Sequence, residues 1–233
     1  MTEELFREDS YLKHCTATVI NVTDQGIILD KSVFYPTGGG QPGDQGIMTF
    51  SGNALAITDT QKNDNGIVHV CGEDTPRPNI GDQVRVDLDW DRRHKHMRMH
   101  TALHLLCALV KGDVNGGQIG ESKSRLDFNI PENPDKADLA EALNRLITEN
   151  HPINQSWISD EELDAKPDLV RTMSVKPPRG SGRIRIIDVE NVDLQPCGGT
   201  HVKSTGEIGA VRIGKIENKG KQNRRINILF DEG

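Results

Sequence analysis

The chain has little of what would carry it into a membrane or out of the cell. No apolar run approaches the ~18 residues of a membrane span. The N-terminus, Met1-Thr2-Glu3-Glu4-Leu5-Phe6, lacks the basic and apolar regions of a signal peptide. Cysteine is sparse: Cys15, Cys71, Cys107 and Cys197 are widely spaced, with no CxxC pair. In a chain of 233 residues without an export signal, that spacing argues against a disulfide framework. Three of the four read as buried free thiols, and Cys197 stands apart because of its neighbours. Internal repeats, low-complexity tracts and a Walker-type GKS or GKT are absent; Gly120-Glu121-Ser122-Lys123 only brushes against the last. What remains is a cytoplasmic globular protein with no membrane partner.

A hydrophobic content of 34% with 27% charge fits such a protein, and the length allows one large domain or two small ones. The net charge of −7 disfavours a nucleic-acid partner, but the charge is uneven. Residues 1–90 carry 6 basic against 14 acidic side chains, whereas 171–225 carry 12 against 5. A basic region on an acidic protein is compatible with an RNA backbone. A solvated charged surface gives the same counts.

Up to about residue 90, short runs such as Ala17–Val22, Gly26–Leu29 and Ile67–Val70 alternate with Gly, Asp, Asn and Pro clusters, as strands do. Val84–Trp90 alternates strictly and reads as a half-buried strand. The close spacing favours a barrel-like arrangement. From Asp91 the period changes. His94–Lys111 has no Gly or Pro and stops at Gly112, which predicts a helix. Leu139, Ala142, Leu143, Leu146 and Ile147 form the apolar stripe of a second helix, opened near Asn133-Pro134. Ser159-Asp160-Glu161-Glu162 has the form of a capping box for a third. Arg183–Val189, Gly209–Ile216 and Arg225–Phe230 read as strands. The expected fold class is α+β: a small mostly-β domain over 1–90, then 91–233 with a mainly antiparallel sheet and a helix carrying two histidines.

Those histidines, His100 and His104, sit one turn apart on one helix face, so both rings can reach a single ion about 2.0–2.1 Å away. Alone the spacing is weak, since helices often carry chance pairs. A zinc peptidase would place Glu directly after the first histidine, and Thr101 stands there instead. Cys197-Gly198-Gly199-Thr200-His201 offers a thiolate and an imidazole on a flexible turn. Together the pairs give one cysteine and three histidines, a set that suits zinc over soft copper or hard magnesium. A closed four-ligand site is usually structural, which counts against catalysis. In Tyr35–Asp44, Gly38, Gly40 and Gly43 satisfy GxGxxG formally, but Pro42 interrupts it and a strand-like run follows. The dinucleotide reading fails there, leaving a tight turn or a backbone-rich loop near a ligand.

HTALHLL (His100–Leu106), GGQIGESKSRLDF (Gly116–Phe128) and CGGTHVKSTGEIG (Cys197–Gly209) resemble the editing domain of alanyl-tRNA synthetase. No aminoacylation domain precedes them, so the chain resembles the free-standing AlaX family of alanyl-tRNA editing proteins. FYPTGGGQPGDQG (Phe34–Gly46) is similar to the glycine-rich signature of that family's longer members. The resemblance implies one zinc ion per chain, held by His100, His104, Cys197 and His201. It implies an aminoacyl-tRNA hydrolase acting on tRNA for alanine mischarged with serine or glycine. Gln118 matches a glutamine lining the editing pocket. Leu103 stands where many related synthetases have threonine, beside the second histidine. The tRNA, through its acceptor stem and charged 3′ end, is the implied partner. Gly38, Gly39, Gly40 and Gln41 are candidates for contact with the terminal nucleotide, and Arg224 and Arg225 for contact with phosphates. Arg92–Arg98 is a further basic segment of this kind. The rival reading is an RNA-binding module with a purely structural zinc. The related editing domain of threonyl-tRNA synthetase is a more distant alternative.

Overall fold

The computed structural model describes residues 1–72, 76–166, 169–170 and 183–231. Positions 171–182, where the basic stretch over 171–225 begins, lie outside the described residues. The chain divides into two compact units, Met1–His94 and Lys95–Gly233. It is α+β with mainly antiparallel sheets, as the change of hydrophobic period at Asp91 implies.

In the first unit, β1 (Glu3–Glu4) and α1 (Leu5–Glu8) precede β2 (His14–Thr23), β3 (Gly26–Leu29) and β4 (Lys31–Ser32). Then follow β5 (Gly46–Phe50), β6 (Asn53–Ile57), β7 (Asp59–Asn63), β8 (Gly66–Val70) and β9 (Gln83–Leu88). Seven of these strands form one sheet in the order β6-β5-β9-β2-β3-β8-β7. Long β2 serves both halves, pairing β9 through His14–Thr18 and β3 beyond a register shift at Val19/Asn21. Only Thr58 separates β6 from β7, although they are the two edges of the sheet. The sheet therefore curls until its edges meet at that residue, but they do not hydrogen-bond to each other. The expected barrel is corrected to a curled open sheet. Val19, Leu29, Phe34, Met48, Val84 and Val86 fill its interior.

The strand predicted over Val84–Trp90 stops at Leu88, because Asp89 starts a helix: its carboxylate accepts from the Arg92 N–H at 3.1 Å. This helix, α2, runs Trp90–Leu109, and the boundary between the units falls within it. From His96 to Cys107 every residue except Arg98 is buried, which explains why the sequence shows no polar stripe there.

The second unit continues with β10 (Asp113–Gln118), β11 (Lys123–Asn129) and α3 (Lys136–Thr148). Asp135 caps α3, accepting from Ala137 and Asp138 N–H groups. Next come β12 (Ile153–Ile158) and α4 (Asp160–Asp164), the latter opened by the capping box of Ser159 and Glu162. Then follow β13 (Ile184–Val189), β14 (Asp193–Pro196), a 3-10 turn (Thr205–Ile208), β15 (Val211–Gly220) and β16 (Asn223–Phe230). They form two antiparallel sheets, ordered β10-β11-β16-β15 and β12-β13-β14. No helix among the described residues is long and apolar enough to cross a membrane.

Candidate metal centre

Helix α2 presents His100 and His104 one turn apart, and the turn leaving β14 presents Cys197 and His201. Their ligand atoms all lie within 4.8 Å of one another, and the three histidines are buried. Cys197 Sγ is 3.5 Å from His100 Nε2 and 3.3 Å from His201 Nε2. A tetrahedron with metal–sulfur bonds of ~2.3 Å and metal–nitrogen bonds of ~2.0–2.1 Å has sulfur–nitrogen edges of about 3.6 Å. These distances are close to the edges of such a shell, so the four residues could hold a four-coordinate ion.

The protonation pattern points the same way. Burial opposes charge on His104, yet bonds to Asp193 and Cys197 outweigh it and push its pKa up to about 10. Burial would raise the Cys197 thiol, but His100 and His201 hold it well below its ordinary range. His201 is held well below the usual imidazole range by burial and then by the charge of His100. A thiolate at Cys197 is the form that a bound cation would require.

Neighbouring side chains aim the ligands. His104 Nδ1 is 3.0 Å from Asp193 Oδ2, which also accepts from Gln195 Nε2 at 2.6 Å. This fixes the ring so that Nε2 faces the cluster. Thr101 Oγ1 is 3.2 Å from His201 Nδ1 and accepts from the Val202 N–H at 3.3 Å. The turn itself is held by buried Arg185, whose guanidinium donates to Gly199 O at 2.5 Å and to Gln155 Oε1. Asp193, Gln195 and Arg185 were not singled out in the sequence. The available signal was the alternation Asp193-Leu194-Gln195 two residues ahead of Cys197, which puts both polar side chains on one face of a strand.

The other candidates lie elsewhere. Gln118 is exposed at the end of β10, and its Oε1 accepts from Arg125 Nε at 3.3 Å; no hydrogen bond joins it to the four ligand residues. Leu103 is buried. Gly39 and Gly40 take φ of 56° and 82°, and Gly38 and Gln41 exchange both backbone hydrogen bonds, which makes a two-residue hairpin turn. Gly38 is half-buried and Gln41 is only 1% exposed.

Arg224 and Arg225, the candidates for phosphate contact, both make hydrogen bonds within the protein. Arg224 donates to the carbonyls of Pro131, Gly220 and Asn223, and Arg225 holds both oxygens of Asp127 at 2.8 Å. The basic segment Arg92–Arg98 is likewise committed inward. Arg92 donates to Gly43 O, Arg98 donates to Ile208 O, and Arg93 is fully buried against Asp44.

Comparison with known proteins follows this geometry. A family described as "Threonyl and Alanyl tRNA synthetase second additional domain" matches residues 184–227, and one described as "tRNA synthetases class II (A)" matches residues 7–92. The chain is 38% identical to the alanyl-tRNA editing protein AlaX-M of Methanosarcina acetivorans, over 97% of this chain and 98% of that one. It is 34% identical to AlaX-M of Saccharolobus solfataricus, over 97% and 98%. It is also 36% identical to the alanine–tRNA ligase of Pyrobaculum arsenaticum, over 93% of this chain but 25% of that protein.

Proposed function

The chain belongs to the family of alanyl-tRNA editing proteins, and from this membership we propose that it is a trans-editing hydrolase. It cleaves the ester between a wrongly attached amino acid, serine or glycine, and the terminal ribose of tRNA for alanine. It works in the cytoplasm, where charged tRNA is used.

The observation that carries this reading is the convergence of His100, His104, Cys197 and His201 on one point, from segments some hundred residues apart, in a chain similar to editing proteins over almost its full length. One thiolate and three imidazoles at tetrahedral spacing are zinc's ligand set. Zinc held by His100, His104, Cys197 and His201 would supply a fixed positive charge that orients the substrate, and would polarise the ester carbonyl if its shell opened to a fifth ligand. Asp193 and Thr101 keep the imidazoles aimed, and Arg185 keeps the ligand turn in place. Gln118, its Oε1 held by Arg125, has its amide N–H groups left to donate to the amino acid or to a ribose hydroxyl.

A second sieve answers a discrimination problem. A pocket for alanine rejects an added hydroxyl or a lost methyl by only about 1–3 kcal/mol, so a separate hydrolytic site supplies the remaining selectivity. One observation favours a rival reading, an RNA-binding module: four protein ligands close the shell, as in structural zinc sites. Single-turnover hydrolysis of serine-charged tRNA for alanine decides between them. The zinc-loaded protein is expected to release serine. Gln118→Ala should keep zinc and fold while slowing release by about ten- to a hundred-fold. A zinc-loaded protein that binds this tRNA without releasing serine supports the RNA-binding module instead.

A further inference from the structure

The sheet β10-β11-β16-β15 has two unlike faces. Val114, Leu126, Phe128, Ile226 and Ile228 are buried on one. The register places the alternate residues on the other. Lys123, Leu229 and Arg212 form one cross-strand row, Gln118, Arg125 and Asn227 a second, and Asp127, Arg225 and Glu217 a third. Lys215 sits in the bulge of β15, and its charge acts on Glu217; Lys219 pairs with Glu217 at 2.9 Å. Six cations thus share this face: Lys123, Arg125, Arg212, Lys215, Lys219 and Arg225. Among the described residues four carboxylates oppose them: Asp127, Glu217 and, at the ends, Asp113 and Asp231. The excess is on a chain whose net charge is −7.

Pairing within the face separates two kinds of cation. Arg125 and Arg225 share Asp127, and Lys219 holds Glu217. Lys123, Arg212 and Lys215 are exposed and make no side-chain hydrogen bond or ion pair among the described residues. A surface built for solubility alone intersperses opposite charges. Here three exposed cations without an ion pair flank Arg125 and Arg225, whose shared Asp127 offsets one of their two charges; with strands ~4.8 Å apart, Lys123 and Arg212 stand roughly 10 Å from each other across the sheet. Gln118 belongs to the same face, on its edge strand.

We propose that this face is the docking surface for the acceptor stem of tRNA, with Lys123, Arg212 and Lys215 contacting backbone phosphates. The occupant is a polyanion by charge complementarity, and its identity as tRNA rests on the editing function proposed above. Phosphate contacts of this kind position the duplex without reading its sequence. They would hold the stem on the face that carries Gln118. Arg224 and Arg225, committed to carbonyls and to Asp127, serve as scaffold for this surface.

The test uses full-length protein and uncharged tRNA for alanine, with binding measured from 50 to 300 mM salt. The triple variant Lys123→Gln, Arg212→Gln, Lys215→Gln is compared with a control triple, Lys111→Gln, Lys136→Gln, Lys166→Gln, whose lysines are also exposed. Removing three contacts should flatten the salt slope by up to about three units and weaken binding on the order of ten-fold, whereas the control should bind as wild type. Single-turnover release of serine at limiting tRNA should slow by a similar factor in this triple variant and stay at the wild-type rate in the control. An unchanged slope, or an equal loss in the control, overturns the proposal while leaving the editing reading intact. Failure of the wild-type protein to bind tRNA overturns both.

Discussion

The two units bury polar groups to opposite ends. In the first, the buried Arg93, Asp44 and His69 are closed off by their neighbours. Arg93 is wholly buried, and its guanidinium is shared among Asp44, Ser10 O and Val33 O. Asp44 in turn accepts from the Tyr35 N–H at 2.6 Å and so fixes the base of the glycine-rich loop. His69 is clamped between Ser32 Oγ at 2.7 Å and Ile27 O at 3.1 Å. In the second unit, Asp193, Thr101 and Arg185 instead bond to His104, His201 and Gly199 of the ligand segments, and so turn other groups toward a common point. A polar interior that saturates itself serves the fold. One whose satisfied shell leaves four donor atoms converging serves a ligand.

Mutation should separate the two kinds of interior, and the largest effect should fall on the first. Arg93→Met leaves the Asp44 carboxylate buried without its partner, at a cost of about 3–5 kcal/mol. Hydrogen exchange of the amides of Ile27–Leu29 should speed up accordingly, while zinc content stays near one per chain. Loss of zinc together with the sheet would erase the distinction between the units.

The next effect is a pH dependence confined to the first unit. Burial lowers the pKa of His69 from 6.5 to about 4. The folded state therefore holds His69 neutral where the unfolded chain protonates it. The stability it allows is fully present above pH ~6.5 and is lost as pH falls toward 4, by about 3 kcal/mol. The unfolding free energies of wild type and His69→Gln should converge across that window. A difference independent of pH would remove His69 from this role.

The smallest effect belongs to the shell around the ligands. Asp193→Ala should weaken zinc affinity by about 10- to 100-fold in a chelator competition, with Asp193→Asn recovering part of the loss by keeping an acceptor for His104 Nδ1. Hydrogen exchange in the first unit should not change. Equal zinc affinity in all three proteins would make Asp193 an ordinary core residue.

The legibility of the sequence divides along the same line. The histidine pair and the Cys197–His201 turn were readable because local spacing defines them, and Ser159 and Glu162 because a capping box is local too. The start of α2 was missed because Asp89 caps it from within an alternating run. The open sheet was read as a barrel because only long-range pairing reveals that β6 and β7 meet at Thr58 without bonding. The partners of Arg224 and Arg225 are not legible for a related reason. Charge counts do not say that Asp127, almost a hundred residues earlier, lies beside Arg225. The shell around the ligands was invisible for the same cause, since Asp193 and His104 are 89 positions apart.

The central claim is that the four converging residues form the zinc centre of an aminoacyl-tRNA hydrolase. Its most direct test is zinc back-titration into chelator-stripped protein, following single-turnover release of serine from tRNA for alanine. The rate should rise linearly and saturate at one zinc per chain, and Cys197→Ala should lack both the bound zinc and the activity. A folded, zinc-free protein that releases serine at the rate of the loaded enzyme would contradict it.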